Sequence, residues 1–158
     1  MRDRLFHRPS LLLLALILFS AGARHASAQA LPLFGTWKLN ALRSTLAGPP
    51  PQEILLLFVP IGADTVTGGE DTTYPDGSKT TTRYTLKVDG RDVPISGSES
   101  ILAKADTISL ARLDSSTFVW IYKRNGLLVL TLRGVLSANG RTLTTMSPDG
   151  QALVYEKQ

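Results

Sequence analysis

Short apolar runs are cut by turn chemistry roughly every 8–12 residues along most of the chain. The interruptions are Gly62-Ala63-Asp64, Pro75-Asp76-Gly77, Asp89-Gly90, Asp114-Ser115-Ser116, Asn125-Gly126, Asn139-Gly140 and Pro148-Asp149-Gly150. Asn-Gly and Asp-Gly suit the left-handed positions of tight hairpin turns. The stretches between them predict strands over Phe34–Asn40, Glu53–Val59, Thr65–Thr73, Lys79–Val88, Asp92–Ser96, Thr107–Leu113, Thr117–Lys123, Leu127–Leu136, Arg141–Met146 and Ala152–Lys157. Leu127–Leu136 is leucine-rich enough to suit a helix, but the Asn-Gly pairs on both sides favour a central strand.

Where alternation is clean it assigns faces. In Lys79–Val88, Tyr84, Leu86 and Val88 fall on one side and Lys79, Arg83 and Lys87 on the other, the pattern of a half-buried strand. In Thr117–Lys123 one face holds Phe118, Trp120 and Tyr122 and the other Val119 and Ile121, so either can be inside. About eight to ten antiparallel strands with nearest-neighbour turns must protect their edges, and a meander of this size closes most economically as an up-and-down barrel. A two-sheet β-sandwich is the alternative. The one long connection, Ala41–Gln52, ends in Gly48-Pro49-Pro50-Pro51, which is stiff and extended; it is either a rigid strap or a lid over an open barrel end.

The N-terminus breaks the strand pattern. Arg2, Arg4 and Arg8 precede nine uninterrupted apolar residues, Leu11–Phe19, and Ala26-Ser27-Ala28 follows with small residues where a signal peptidase cuts. Residues 1–28 are expected to be a signal peptide cleaved after Ala28, with Ala30 second, leaving a single domain over 29–158. Nine apolar residues fall far short of the roughly 20 needed to span a bilayer. The product is expected in the periplasm or outside the cell, without an integral membrane segment.

Composition changes meaning once that segment is set aside. The chain has 158 residues, 17 Lys+Arg, 13 Asp+Glu, two His and no Cys. Residues 1–28 hold Arg2, Arg4, Arg8 and Arg24 against Asp3, and both His7 and His25. The 130-residue remainder therefore carries 13 basic and 12 acidic side chains, near +1, and neither imidazole nor thiol. That excludes Ser-His-Asp catalysis, cysteine nucleophiles, disulfides and His or Cys metal sites. Dispersed Lys and Arg at that net charge leave no footprint for nucleic acid. Among the carboxylates, Glu70-Asp71, Asp89, Asp92, Asp106 and Asp114 are read as turn residues, and Glu53 and Glu99 as strand-flanking. No pair marks an acid–base site or a calcium loop. The expectation is a non-enzyme without cofactor or metal.

Phe34-Gly35-Thr36-Trp37-Lys38-Leu39 near the start and Val154-Tyr155-Glu156-Lys157 at the end resemble the opening and closing strands of the calycins, the lipocalin and fatty-acid-binding protein superfamily. The layout also resembles small secreted bacterial lipocalin-like proteins of unassigned function. The resemblance implies a barrel with an apolar cavity. It does not imply fatty acid, because the position two residues before the terminal Tyr, an Arg that helps hold the carboxylate in intracellular fatty-acid-binding proteins, is Leu153. Ala41–Gln52 is also too short for the helix pair those proteins carry.

Trp37, Tyr84, Arg112, Trp120, Tyr122 and Tyr155 are the candidate ligand-binding residues. Trp37 suits a core plug at the barrel base, and Trp120 and Tyr122 suit either packing or cavity lining. Arg112 meets an acidic ligand if its face, shared with Ile108 and Leu110, points inward, and is a surface charge otherwise. Arg133 is expected in solvent, and Arg43-Ser44 is expected to pair near Glu156. Two functions follow: a monomeric exported binding protein holding a small hydrophobic or amphipathic molecule, or a structural module whose barrel core is filled. Thr80 and Thr82, if inward, favour a wet and roomy end; the abundance of Leu, Ile and Val favours filling.

Overall fold

The computed structural model describes residues 31–97 and 104–158. The expected signal peptide and Glu99 lie outside the described residues. Eleven antiparallel strands form one sheet: β1 (Gly35–Leu39), β2 (Glu53–Pro60), β3 (Thr65–Thr73), β4 (Lys79–Lys87), β5 (Val93–Pro94), β6 (Ser96–Gly97), β7 (Thr107–Arg112), β8 (Thr117–Arg124), β9 (Leu127–Leu136), β10 (Thr142–Met146) and β11 (Ala152–Lys157). The strand order is β5-β7-β8-β9-β10-β11-β1-β2-β3-β4-β6. From β1 to β4 and from β7 to β11 neighbours in sequence are neighbours in space, and β11 returns to pair with β1 through Trp37↔Lys157 and Leu39↔Tyr155. This is an up-and-down meander curled into a nearly closed barrel, not a two-sheet sandwich.

The expected strand Asp92–Ser96 is two separate pieces. Val93–Pro94 pairs with β7 and Ser96–Gly97 pairs with β4. Among the described residues β4 and β7 share no ladder of their own, and the chain around Ile95 bridges the two. Pro94 has no N–H with which to continue a regular ladder.

Alternation sends one set of side chains inward all round the barrel. Trp37, Phe58, Leu86, Ile108, Leu110, Phe118 and Leu143 are each 2% exposed or less, and burial of each such side chain contributes about 1.5–3 kcal/mol. The aromatic face of β8 is the inner one: Phe118 and Trp120 are buried, whereas Val119 and Ile121 are only partly covered. Trp120 packs between Phe58 and Phe118 with ring centroids 6.2 Å apart in both pairs, a tilted arrangement typical of aromatic clusters. Buried Leu31 and Leu33 close the base, where Trp37 Nε1 donates to the Leu33 carbonyl at 2.8 Å.

Two ends can be distinguished. The base carries the β2–β3, β7–β8 and β9–β10 turns. The top carries the β3–β4, β8–β9 and β10–β11 turns and the Ala41–Gln52 connection. After a single 3₁₀ turn at Ala41–Arg43, that connection is tied to β11. Arg43 Nη1 meets Glu156 Oε1 at 3.0 Å, as expected from the sequence, and Asn40 Nδ2 donates to the same oxygen at 3.0 Å. The Ser44 hydroxyl donates to the Asn40 carbonyl and accepts the Val154 N–H. The Thr45 N–H donates to the Ala152 carbonyl at 2.7 Å. Ala41–Gln52 is therefore a strap anchored at its N-terminal half, whose prolines lie across the top.

Candidate functional site

Beneath the strap lies a cleft of about 350 Å³. Its walls are Leu46, Pro49 and Pro51 from the strap, Ile54 from β2, Leu153 from β11, and the polar side chains of Glu70, Thr72, Tyr74 and Gln151. Leu153 and Gln151 also line an adjoining hollow of about 100 Å³ toward β9 and β10. Glu70 also borders a third, deeper space of about 20 Å³, enclosed by residues that include Tyr84, Trp120, Tyr122, Thr145 and Tyr155. That last space is room for about one water molecule. Cavity and packing thus divide the barrel: the top is hollow and the base is filled. A shallow surface hollow of about 430 Å³ lies between the turns at the base, among Pro32, Ser115, Ser116, Leu136, Ser137, Ala138 and Gly140, outside the packed interior, and shares no lining residue with these three.

Four of the six candidate residues come together here. Tyr84, Trp120, Tyr122 and Tyr155 surround the innermost space. Trp37 is fully buried in the closed base and borders none of these spaces. Arg112 keeps the inward register of Ile108 and Leu110 but stands at the base end of β7. There its guanidinium donates to the carbonyls of Asp114 and Ser115 and lies 5.9 Å from the Phe118 ring centre. Arg133 is exposed, as expected. Leu153 points into the cleft where the fatty-acid-binding pattern has Arg.

Glu70 departs from the expectation of a turn carboxylate: it sits mid-strand in β3, opposite Leu56 on β2 and Thr82 on β4, and faces inward with Val66 and Thr72. Its signal was its parity within Thr65–Thr73, which separates it from outward Asp71. Thr72 Oγ1 donates to Glu70 Oε1 at 3.1 Å. Asp71 instead pairs with Arg83 on the outer face at 2.7 Å, and that guanidinium holds the Asp71 carboxyl below its ordinary value.

The tyrosines are strongly perturbed. Burial pushes all three phenols up, and the Glu70 carboxylate adds to the effect at each of Tyr84, Tyr122 and Tyr155. They remain protonated hydroxyls at neutral pH and can donate. Thr145, only 5% exposed, is the one described residue with a fully buried side-chain oxygen that lacks a hydrogen-bond partner. Its hydroxyl lies toward that of Tyr155 without reaching good hydrogen-bond geometry. Such a group costs about 1–3 kcal/mol relative to a satisfied one. Among the described residues no Lys or Arg lines the cleft or the two spaces joined to it, and no three His, Cys, Asp or Glu side chains are grouped to hold a metal. No described helix is long and apolar enough to cross a membrane.

No protein-family model matches the chain, and no curated protein matches it. Two solved structures are similar in fold. One is a redesigned β-barrel, 14% identical, with a TM-score of 0.45 over 80% of this chain and 92% of that one. The other is a fatty acid binding protein from Schistosoma mansoni in complex with arachidonic acid, 12% identical, with a TM-score of 0.50 over 80% of this chain and 96% of that one. At that identity the likeness shows the fold alone, an up-and-down antiparallel β-barrel.

Proposed function

We propose that this chain is a non-catalytic binding protein that holds one small hydrophobic or amphipathic molecule in the upper half of its barrel. The observation that carries the reading is the cleft of about 350 Å³ under the strap, within the size range of ligand sites and lined as they are, by apolar walls with a few convergent polar groups. The strap's attachment to β11 keeps that space covered on one side. The fold of the fatty acid binding protein, which holds a lipid, supports the same reading. We further propose that residues 1–28 are removed after Ala28 and that the remaining domain works as a monomer in a bacterial periplasm or outside the cell, as a lipocalin-like exported protein. The Arg-flanked Leu11–Phe19 run and Ala26-Ser27-Ala28 support that part.

A second reading has its own observation. The base is packed solid and the innermost space is only about 20 Å³, as in a structural module with its function on the surface. Native mass spectrometry of the protein from its own host distinguishes the two. A co-purifying small molecule, released on denaturation, is expected; bare protein with no thermal shift across a panel of lipids and small hydrophobes would establish the filled-core module instead. Intact mass in the same experiment reports the cleavage site.

A further inference from the structure

The cleft under the strap and the hollow toward β9 and β10 are adjoining chambers. Among the described residues only Gln151 and Leu153 line both. Gln151 is tied down at the rim, where its Nε2 donates to Asp149 Oδ2 at 2.9 Å and its carbonyl accepts the Ser147 N–H at 3.0 Å. The apolar part of the dividing wall is therefore the isobutyl group of Leu153.

Leu153 is held as a fixed partition. It is 3% exposed and belongs to the core cluster. On one side it stands opposite Thr145 in the β10 ladder. On the other the strap clamps the residues that flank it, through the Thr45↔Ala152 bridge and the Ser44 hydroxyl that accepts the Val154 N–H at 2.9 Å. With the backbone held from both sides, the side chain moves aside only by changing rotamer against packed neighbours, which is costly in a dense core. Beyond it the hollow of about 100 Å³ has apolar walls of its own, from Leu130 and Leu132.

Resting on the binding function proposed above, we infer that Leu153 is the residue that sets ligand size. It ends the cleft, so the barrel takes an apolar chain or compact hydrophobe that stops at Leu153 and leaves the hollow unused. Further carbons of a longer chain stay in water and gain nothing. Removing the isobutyl group joins the chambers and extends the apolar path from Pro49 and Pro51 of the strap to Leu130 and Leu132.

Isothermal titration of the purified protein with straight-chain alcohols from hexanol to dodecanol, each below its solubility limit, tests this. With the head group constant, each methylene buried in the cleft is expected to strengthen binding about fourfold, up to a break beyond which affinity stays level. Leu153→Ala is expected to move the break to longer chains and to raise the dodecanol-to-hexanol affinity ratio at least about tenfold, the worth of about two more buried methylenes. Leu153→Met, of similar volume, is expected to leave the break in place. If Leu153→Ala does not fold, Leu153→Val, which removes one methylene, is expected to raise the same ratio about fourfold. Weaker binding of every alcohol by Leu153→Ala with the ratio unchanged would overturn the partition and leave the binding function standing. Wild-type affinity that climbs without a break through dodecanol would overturn it too. No binding of any alcohol to wild type would overturn both.

Discussion

The ring of Trp120 on β8 lies directly on the backbone of Gly134 on β9. A Cβ at position 134 would stand 2.9 Å from Trp120 Cη2 and nearer still to Cζ3. The same device recurs across β3 and β4, where Tyr84 covers Gly68. These two glycines make room for the rings of Trp120 and Tyr84 close against the barrel wall. Gly134→Ala is expected to destabilise the fold by about 1–3 kcal/mol, the usual penalty for overpacking a rigid core. The urea midpoint measures it, and a variant of unchanged midpoint would show that Trp120 moves freely.

Ser44 holds the strap to the last strand. Its hydroxyl donates to the Asn40 carbonyl at 2.8 Å and accepts the Val154 N–H at 2.9 Å. Ser44→Ala removes both bonds and leaves that N–H without its partner, so a loss of about 1–2 kcal/mol is expected. Because the strap also roofs the cleft, amide hydrogen exchange at Leu46 and Ala47 is expected to accelerate more than exchange in β8. Uniform acceleration would mean that Ser44 supports the barrel as a whole rather than the strap.

Acid sensitivity is expected from the β7–β8 turn. One carboxylate oxygen of Asp114 accepts the Ser116 and Thr117 N–H groups, each at 2.8 Å, and the Ser116 hydroxyl. The Ser116 backbone bond leads the effects that lower its carboxyl to about 2 from an ordinary 3.8. A carboxyl with a lower value folded than unfolded contributes stability that is present above the unfolded value and is lost as pH falls through the folded one. Wild type is therefore expected to have a higher Tm than Asp114→Asn above about pH 4, with the gap closing as pH approaches 2. A gap that is constant with pH would assign the difference to something other than ionisation.

Thr145 predicts a gain. Its buried hydroxyl has no partner, and valine has nearly its shape without the oxygen, so Thr145→Val is expected to stabilise the unliganded protein by about 1 kcal/mol. Thermal unfolding without added ligand checks this. A destabilised variant would mean that the hydroxyl is satisfied in solution, for example by an ordered water.

Much of the barrel is legible from turn chemistry and alternation. Thr65–Thr73, Leu127–Leu136 and Ala152–Lys157 form strands with the predicted ends, because Asn-Gly and Asp-Gly define hairpins locally and a side-chain period of two needs no tertiary information. The split of Asp92–Ser96 was not legible. Which neighbour a short segment pairs with depends on how far β4 and β7 stand apart, and no local preference encodes that distance. The site was half legible. Tyr84, Trp120, Tyr122 and Tyr155 stand out as large aromatics in strands. Glu70 and Thr145 do not, because a carboxylate or hydroxyl in a strand has the same local appearance whether it faces water or the interior.

Turn residues and alternation alone specify an antiparallel all-β chain and most of its strand boundaries to within a residue or two, and residues 29–158 hold neither imidazole nor thiol. Which face of Thr117–Arg124 is inside, that the cleft lies at the top, and that Glu70 stands at the junction of the cleft and the tyrosines follow from the folded barrel. The reason is the closure of the sheet. Curling a flat meander until β11 meets β1 assigns one parity of every strand to a single shared interior at once. The contacts of that interior join residues far apart in sequence, where local patterns carry no information.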